Sequence, residues 1–226
     1  MTPGRLLFTA AYLLFWPALM LSLAGDWRWP PGWIVGGWFV AVGASTMAWL
    51  ARKDPGLLEE RFRKPGTGGQ SRRDQIMIYL VTVGFVAWIV LMPLDARRFH
   101  WSPRLPLAVG LAGVACLTLS WLLLFRAFAD NPFGSALVRV QRERGHRVVT
   151  TGVYGWVRHP MYLGATLMFV GGPLVAGSLA ALAVGLALIV LLAVRSLDEE
   201  ALLTRELTGY EEYRRRVRYR LLPFVW

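Results

Sequence analysis

Residues 161–194, MYLGATLMFVGGPLVAGSLAALAVGLALIVLLAV, are the longest charge-free run in the chain. As one straight helix they would reach about 51 Å, well beyond a bilayer core of roughly 30 Å. Gly171-Gly172-Pro173 and Gly177-Ser178 lie near the middle, and residues of these types punctuate helices. The run therefore reads as a tight helical hairpin of two short arms. A hairpin returns the chain to the face it left, so whatever follows residue 194 lands near residue 159.

Outward from the hairpin, apolar runs recur at 6–24, 31–50, 76–94 and 105–125. Each is long enough to cross a bilayer. With the two hairpin arms they make about six hydrophobic segments, and the fold class is an all-α integral membrane protein. The first run, with Arg5 ahead of it and Ser22-Leu23-Ala24 behind, looks like a signal peptide but is read as a retained transmembrane helix, with Pro17 expected to kink it. Gly36-Gly37 and Gly43-Ala44-Ser45 suit close helix packing in the second. The chain divides into two N-terminal transmembrane helices (1–50), a cytoplasmic loop (51–75), two further transmembrane helices (76–125) and a catalytic, cofactor-binding region (126–226). Within the loop, 54–61 reads as a short helix and 64–71 as flexible. The whole is either a solvated, topology-setting loop or a lid. After the hairpin, Leu203, Leu207, Tyr210, Val217 and Leu221 can share the apolar face of a C-terminal amphipathic helix.

The 226 residues are 55% hydrophobic and only 17% charged, yet the net charge is +11. The cations sit between apolar runs, which points to anionic lipid and not to nucleic acid. Six crossings with both termini inside place 21 cations on one side and four on the other, the asymmetry expected of cytoplasmic loops. All but two of the 25 cations are Arg, a bias that suggests a bacterial source and hence the inner membrane. A single cysteine, Cys116, precludes an intrachain disulfide or a cysteine metal cluster. It and His100, beside Trp101, read as structural.

The chemistry concentrates in 149–163, VTTGVYGWVRHPMYL, a polar and aromatic island ahead of the hairpin. Pro160 suits the first turn of a helix. The N–H groups of Met161 and Tyr162, with Arg158 and His159 beside them, would then form an anion site. Glu199 and Glu200, returned by the hairpin, would offer a cation site across a small gap. A zwitterion such as S-adenosylmethionine has that character. The plainer alternative has Arg158 reaching lipid phosphate and Glu199 paired with Arg195, one helical turn away.

Gly152-Val-Tyr154, Val157-Arg-His-Pro-Met-Tyr-Leu-Gly164, then Glu199-Glu200-x-x-Leu203, Gly209-Tyr210-x-x-Tyr213 and Leu221-Leu-Pro223 closely resemble the isoprenylcysteine carboxyl methyltransferase family, which is related to phospholipid N-methyltransferases. The resemblance covers about 126–226. It implies an integral membrane enzyme that uses S-adenosyl-L-methionine and no metal, with a lipophilic acceptor entering sideways from the bilayer. By motif position it implies a cofactor shell of Val149, Gly152, Tyr154, Arg158, His159, Pro160, Tyr162, Leu163, Glu199 and Glu200. It makes Arg195, Glu199 and Glu200 the catalytic candidates, Arg195 for substrate orientation and either glutamate as a base for a thiol or hydroxyl acceptor. Isoprenylcysteine-like carboxylates, thiols and lipid amines are all open as acceptors. The competing readings are an NADPH-dependent sterol or lipid reductase, although no Gly-rich phosphate loop is present, and a non-enzymatic scaffold or transporter, although the apolar runs lack charges.

Overall fold

The computed structural model describes residues 3–67 and 69–226, apart from the side chains of residues 3, 5 and 6. The Arg5 charge counted above, and Gly68 of the flexible stretch, therefore lie outside the described residues. The chain forms α1 (Pro3–Ala24), α2 (Pro30–Lys53), a short α3 (Pro55–Arg61), α4 (Arg72–Pro93), a π-helical turn (Leu94–Phe99), α5 (Leu107–Asp130), α6 (Pro160–Ala176), α7 (Leu179–Glu206) and a short α8 (Tyr210–Arg216). Five helices are long and apolar enough to cross a membrane, and α6, at 17 residues, is shorter. This is the all-α membrane architecture expected from the apolar runs.

The hairpin is real, and of the two expected breaks it turns at Gly177-Ser178 and not at Gly171-Gly172-Pro173. Helix α6 runs through those residues and ends at Gly177, whose φ of +79° forms a left-handed C-cap. Proline cannot donate to the carbonyl four residues back, which frees the Phe169 carbonyl. The buried indole of Trp88 donates to that carbonyl at 3.1 Å. The glycines serve packing instead of a turn. A Cβ on Gly171 would come within 2.9 Å of Cys116 Cβ and of the Gly113 carbonyl, and one on Gly172 within 2.8 Å of the Trp88 ring. Small residues let α5, α6 and α4 approach this closely, and Ser120 on α5 donates to the Gly164 carbonyl at 2.7 Å. At the far end of the hairpin, Ser178 caps α7 and donates to fully buried Asp95 at 2.6 Å, tying the turn to the end of α4.

The two arms are also unequal. Helix α7 has 28 residues and carries Arg195, Glu199 and Glu200 without interruption to Glu206. A single long amphipathic helix after residue 195 is therefore replaced by the last turns of α7 and the seven-residue α8. Leu207, Tyr210, Tyr213 and Val217 still bury together, with Leu203 against them, while Leu221 joins the main core.

In the N-terminal pair, Gly36 lies against Pro17 and Gly43 against Leu13, while Gly37 faces open space. The 51–75 segment is neither free nor merely solvated. Asp54 caps α3 by accepting from Leu57 N–H at 2.8 Å. Buried Glu60 accepts from Arg139 at 2.8 Å, and Asp74 accepts from Val138 N–H at 3.1 Å and from Arg195 at 2.8 Å. Its ends are thus locked to the polar segment that follows α5.

Candidate functional site

The site is built where α6 begins. Residues 157–159 run beside the C-terminal segment through a parallel bridge between Val157 and Tyr219, with Arg158 N–H donating to Tyr219 O at 2.9 Å and His159 N–H to Arg220 O at 3.0 Å. This strand-like contact sets Arg158 and Arg220 on the two sides of Glu200. Arg158 Nε donates to Glu200 Oε1 at 2.7 Å, Arg220 to Oε2 at 2.9 Å, and His159 Nε2 lies 3.1 Å from Oε1. Arg158 also donates to the carbonyls of Val217 and Arg218 at 2.7 and 2.8 Å. Glu200 is only 2% exposed. Such a cluster is tolerable out of water only because every charge is paired and hydrogen-bonded.

Glu199 and Glu200 therefore do different things. They are neighbours on one helix, so they point about 100° apart. Glu200 turns inward, while Glu199 accepts from the Tyr162 hydroxyl at 2.7 Å and keeps a quarter of its side chain exposed. Tyr162 stacks on His159 with ring centres 5.3 Å apart. Its hydroxyl also accepts from Arg195 at 3.1 Å. Arg195 is spent on Asp74 Oδ1 at 2.8 Å and the Ala136 carbonyl at 2.6 Å, so it pairs with Asp74 and not with Glu199. The expected gap between donor and acceptor groups is closed for Arg158 and Glu200, which touch each other. The expected free N–H of Tyr162 is likewise taken, by the His159 carbonyl at 3.0 Å.

Beside this cluster lies a cleft of about 730 Å³ including its open mouth, walled by residues 131–149, the start of α6, the end of α7 and α8. Of the residues named from the sequence, Val149, Tyr154, Arg158, His159, Pro160, Tyr162 and Glu199 line it. Glu200 and Arg195 stand behind the wall and Leu163 is buried in α6. Gly152 acts one step away: it adopts φ +60°, and a side chain there would run into the carboxylate of Asp130, which accepts from Val153 N–H at 2.9 Å. The sequence reading missed Phe133, Gly134, His146, Arg147, Met161, Leu207 and the roles of Tyr210 and Tyr213 in the wall. The Asn-Pro-Phe-Gly turn after α5 was the available signal.

The cleft has a defined chemistry. Phe133 and His146 stack with centres 4.5 Å apart. Burial pushes the His146 imidazole down to about 4, and its Nδ1 accepts from Gln141 N–H at 3.2 Å, so it is a neutral, flat wall. The Tyr154 hydroxyl is buried in the cleft wall beside Asn131, and burial raises the pKa of that phenol, leaving it neutral. Arg139 is neutralised by Glu60 and Arg158 by Glu200. Exposed Arg147 has no charged partner among the described residues.

A phospholipid methyltransferase family model matches residues 108–208, the segment that holds α5, α6, α7 and most of the cleft. The fold is similar to that of the eukaryotic intramembrane Ras methyltransferase, isoprenylcysteine carboxyl methyltransferase, with a TM-score of 0.59 and 23% identity over 96% of this chain and 75% of that one. The mouse (Mus musculus) Delta(14)-sterol reductase is 26% identical over 163 residues, 66% of this chain. The chain spans about two fifths of that protein's length, 39%. The matched segment contains the Arg-His-Pro and Glu-Glu motifs, and the likeness of fold extends over nearly the whole chain.

Proposed function

We propose that the chain, with its phospholipid methyltransferase segment and its methyltransferase-like fold, is a membrane-embedded methyltransferase that uses S-adenosylmethionine. The observation that carries the reading is the charge pattern of the cleft. One carboxylate, Glu199, faces it with its proton-donating partner fixed, and the basic groups near it, except Arg147, are already neutralised. That pattern suits a ligand that brings its own positive charge and one terminal carboxylate. When bound, S-adenosylmethionine supplies an electrophilic methyl group on a sulfonium.

In this reading Glu199 holds the donor's positive charge and Arg147 its carboxylate, while the Phe133–His146 stack offers a flat face for a purine. The Tyr154 hydroxyl donates to a polar group of the ligand. His159, Pro160, Val149 and Tyr162 shape the floor, and Gly152 and Leu163 hold that floor in register. Glu200 and Arg195 are positioning residues: Glu200 orients His159 and Arg158, and Arg195 orients the Tyr162 hydroxyl. Transfer to a lipophilic acceptor is an in-line displacement, so the residues contribute by orientation and exclusion of water. A carboxylate acceptor needs no base. For a thiol or hydroxyl, Glu199 is the member of the acid pair that faces the cleft. The excess of cations at this end supports a site on the cytoplasmic face of a bacterial inner membrane.

A second reading, an NADPH-dependent reductase, draws on the likeness to the mouse sterol reductase. A pyrophosphate with a further phosphate would call for free cations, and this cleft spends most of its own on Glu60 and Glu200. Calorimetric titration of the detergent-purified chain with S-adenosylhomocysteine, and in parallel with NADPH, tests both. Binding of the first alone is expected, binding of NADPH alone would replace the proposal, and binding of neither by folded protein would remove both.

A further inference from the structure

A second cavity lies on the other side of α3. It is bounded by α1, α2, α4, α5 and α6 and encloses about 1260 Å³ including its opening. Aromatic side chains dominate its wall, among them Phe8, Tyr12, Trp38, Phe39 and Phe85. Three polar groups interrupt that wall. Arg61, at the end of α3, lies 4.2 Å over the Phe128 ring and has no carboxylate or carbonyl partner among the described residues. Thr46 is 6% exposed and its hydroxyl is unpartnered, as is that of Thr9. Threonines within helices ordinarily bond back to the carbonyl one turn earlier, as Thr82 and Thr118 do here at 2.8 and 2.9 Å.

Arg61 is half-buried; an unpaired guanidinium partly removed from water is costly, and desolvation lowers its pKa to about 10. The aromatic face beneath it offsets part of the cost but leaves its N–H edge without an acceptor. The cavity also adjoins the cleft. Glu60, next to Arg61, accepts from Ser135 and Arg139 of the cleft wall at 3.3 and 2.8 Å. A side chain on Gly134, in the cleft wall, would lie 3.7 Å from Phe128 in the cavity wall. Helix α3 thus turns its carboxylate to one chamber and its cation to the other.

We propose that this cavity binds an amphiphile with an apolar chain and an anionic head, the chain lying among α1, α2 and α5 and the head on the N–H edge of Arg61, with Thr46 as a further polar contact. That the occupant is the methyl acceptor rests on the reading above; that the cavity selects an anionic head does not. A neutral chain would leave Arg61 unpaired, and a cationic head would be repelled by it.

Displacement of a fluorescent fatty acid from the detergent-purified full chain reads this directly. Palmitic acid is expected to compete about tenfold or more better than its methyl ester, the margin of a hydrogen bond to a charged group. Arg61→Gln should erase that preference while leaving ester affinity unchanged, which also shows that the variant is folded, and Arg61→Lys should keep part of it. Hexadecyl phosphate competing as well as the acid would extend the site to lipid phosphates. The acid alone competing would restrict it to carboxylates. Equal competition by acid and ester in the unaltered chain, or a preference that survives Arg61→Gln, would overturn the proposal. S-adenosylhomocysteine titration of the same preparation separates the two ideas: donor binding without anion preference removes only this one, and anion preference without donor binding removes only the methyltransferase reading.

Discussion

Arg158, in the cleft wall, is buried and Arg61, at the end of α3, is half-buried, and the molecule treats them differently. Arg158 is bound by Glu200 and by two backbone carbonyls. Arg61 has an aromatic ring beneath it and no acceptor among the described residues. The same contrast runs through the two chambers. In the cleft, Glu199, Tyr162, Arg195 and Asp74 form one continuous chain of hydrogen bonds. In the apolar cavity, the hydroxyls of Thr9 and Thr46 are left over. A preorganised charge network stabilises the fold and presents a fixed surface; unpartnered polar groups in an apolar wall weaken the fold slightly and reserve their bonds for a ligand. Breaking the ion cluster behind the first chamber should therefore appear as lost stability, and removing the unpartnered polar groups of the second as altered ligand preference.

The strongest way to break this contrast is Glu200→Ala. It strips Arg158, Arg220 and His159 of their shared acceptor, and removal of one partner from a buried ion cluster costs about 3–5 kcal/mol. Thermal unfolding in detergent should show that loss, against less than about 1 kcal/mol for Arg61→Gln; similar shifts in the two variants would mean that the chambers are not built differently. Next comes Gly152→Ala, which combines a left-handed φ with a collision against Asp130. It should cost about 2–3 kcal/mol, measured in the same unfolding assay.

Tyr162→Phe sharpens the contrast from within the cleft. It keeps the stack on His159 but removes the hydroxyl that links Arg195 to Glu199. Folding should be retained and S-adenosylhomocysteine affinity should fall about tenfold, or about 1.4 kcal/mol; an unchanged titration would take Glu199 out of the donor site. His146 gives a pH signature. Its folded pKa lies below its ordinary value, at about 4, so the unfolded chain binds more protons between about pH 4 and 6.5. Its contribution to stability is complete above about 6.5 and declines as the pH falls towards 4. His146→Asn, which keeps an acceptor near the position of Nδ1, should flatten that slope. The smallest effect is expected from Thr46→Val. Replacing an unsatisfied buried hydroxyl by a methyl should leave stability unchanged or raise it by up to about 1 kcal/mol, whereas a clear loss would show that the hydroxyl is bonded in the free protein.

Much of this was readable in the chain itself, because burial in a bilayer is a matter of run length and apolar content. Those two properties set the spanning helices and the return of Glu199 and Glu200 to the level of His159; the grouping of Tyr154, His159, Tyr162 and Glu199 was implied by the motif resemblance. They named Gly171-Gly172-Pro173 and Gly177-Ser178 as breaks and did not decide which of the two ends α6. Gly171-Gly172-Pro173 has the composition of a break, and it stays helical because Trp88, from another helix, takes up the carbonyl that Pro173 frees. Nor did they choose ionic partners. The acceptor of Arg195 is Asp74, 121 residues away, although Glu199, one helical turn away, looked equally suitable, and Arg139 pairs with Glu60, 79 residues away, as well as with neighbouring Glu143. Charge pairing depends on which side chains the packing brings within about 3 Å, and that is a property of helices already assembled. The sequence alone therefore determined what crosses the membrane and which motifs meet. Only the tertiary structure decided which member of the acid pair faces the cleft, and that the 51–75 loop is fastened to both chambers, because both depend on contacts between segments far apart in the chain.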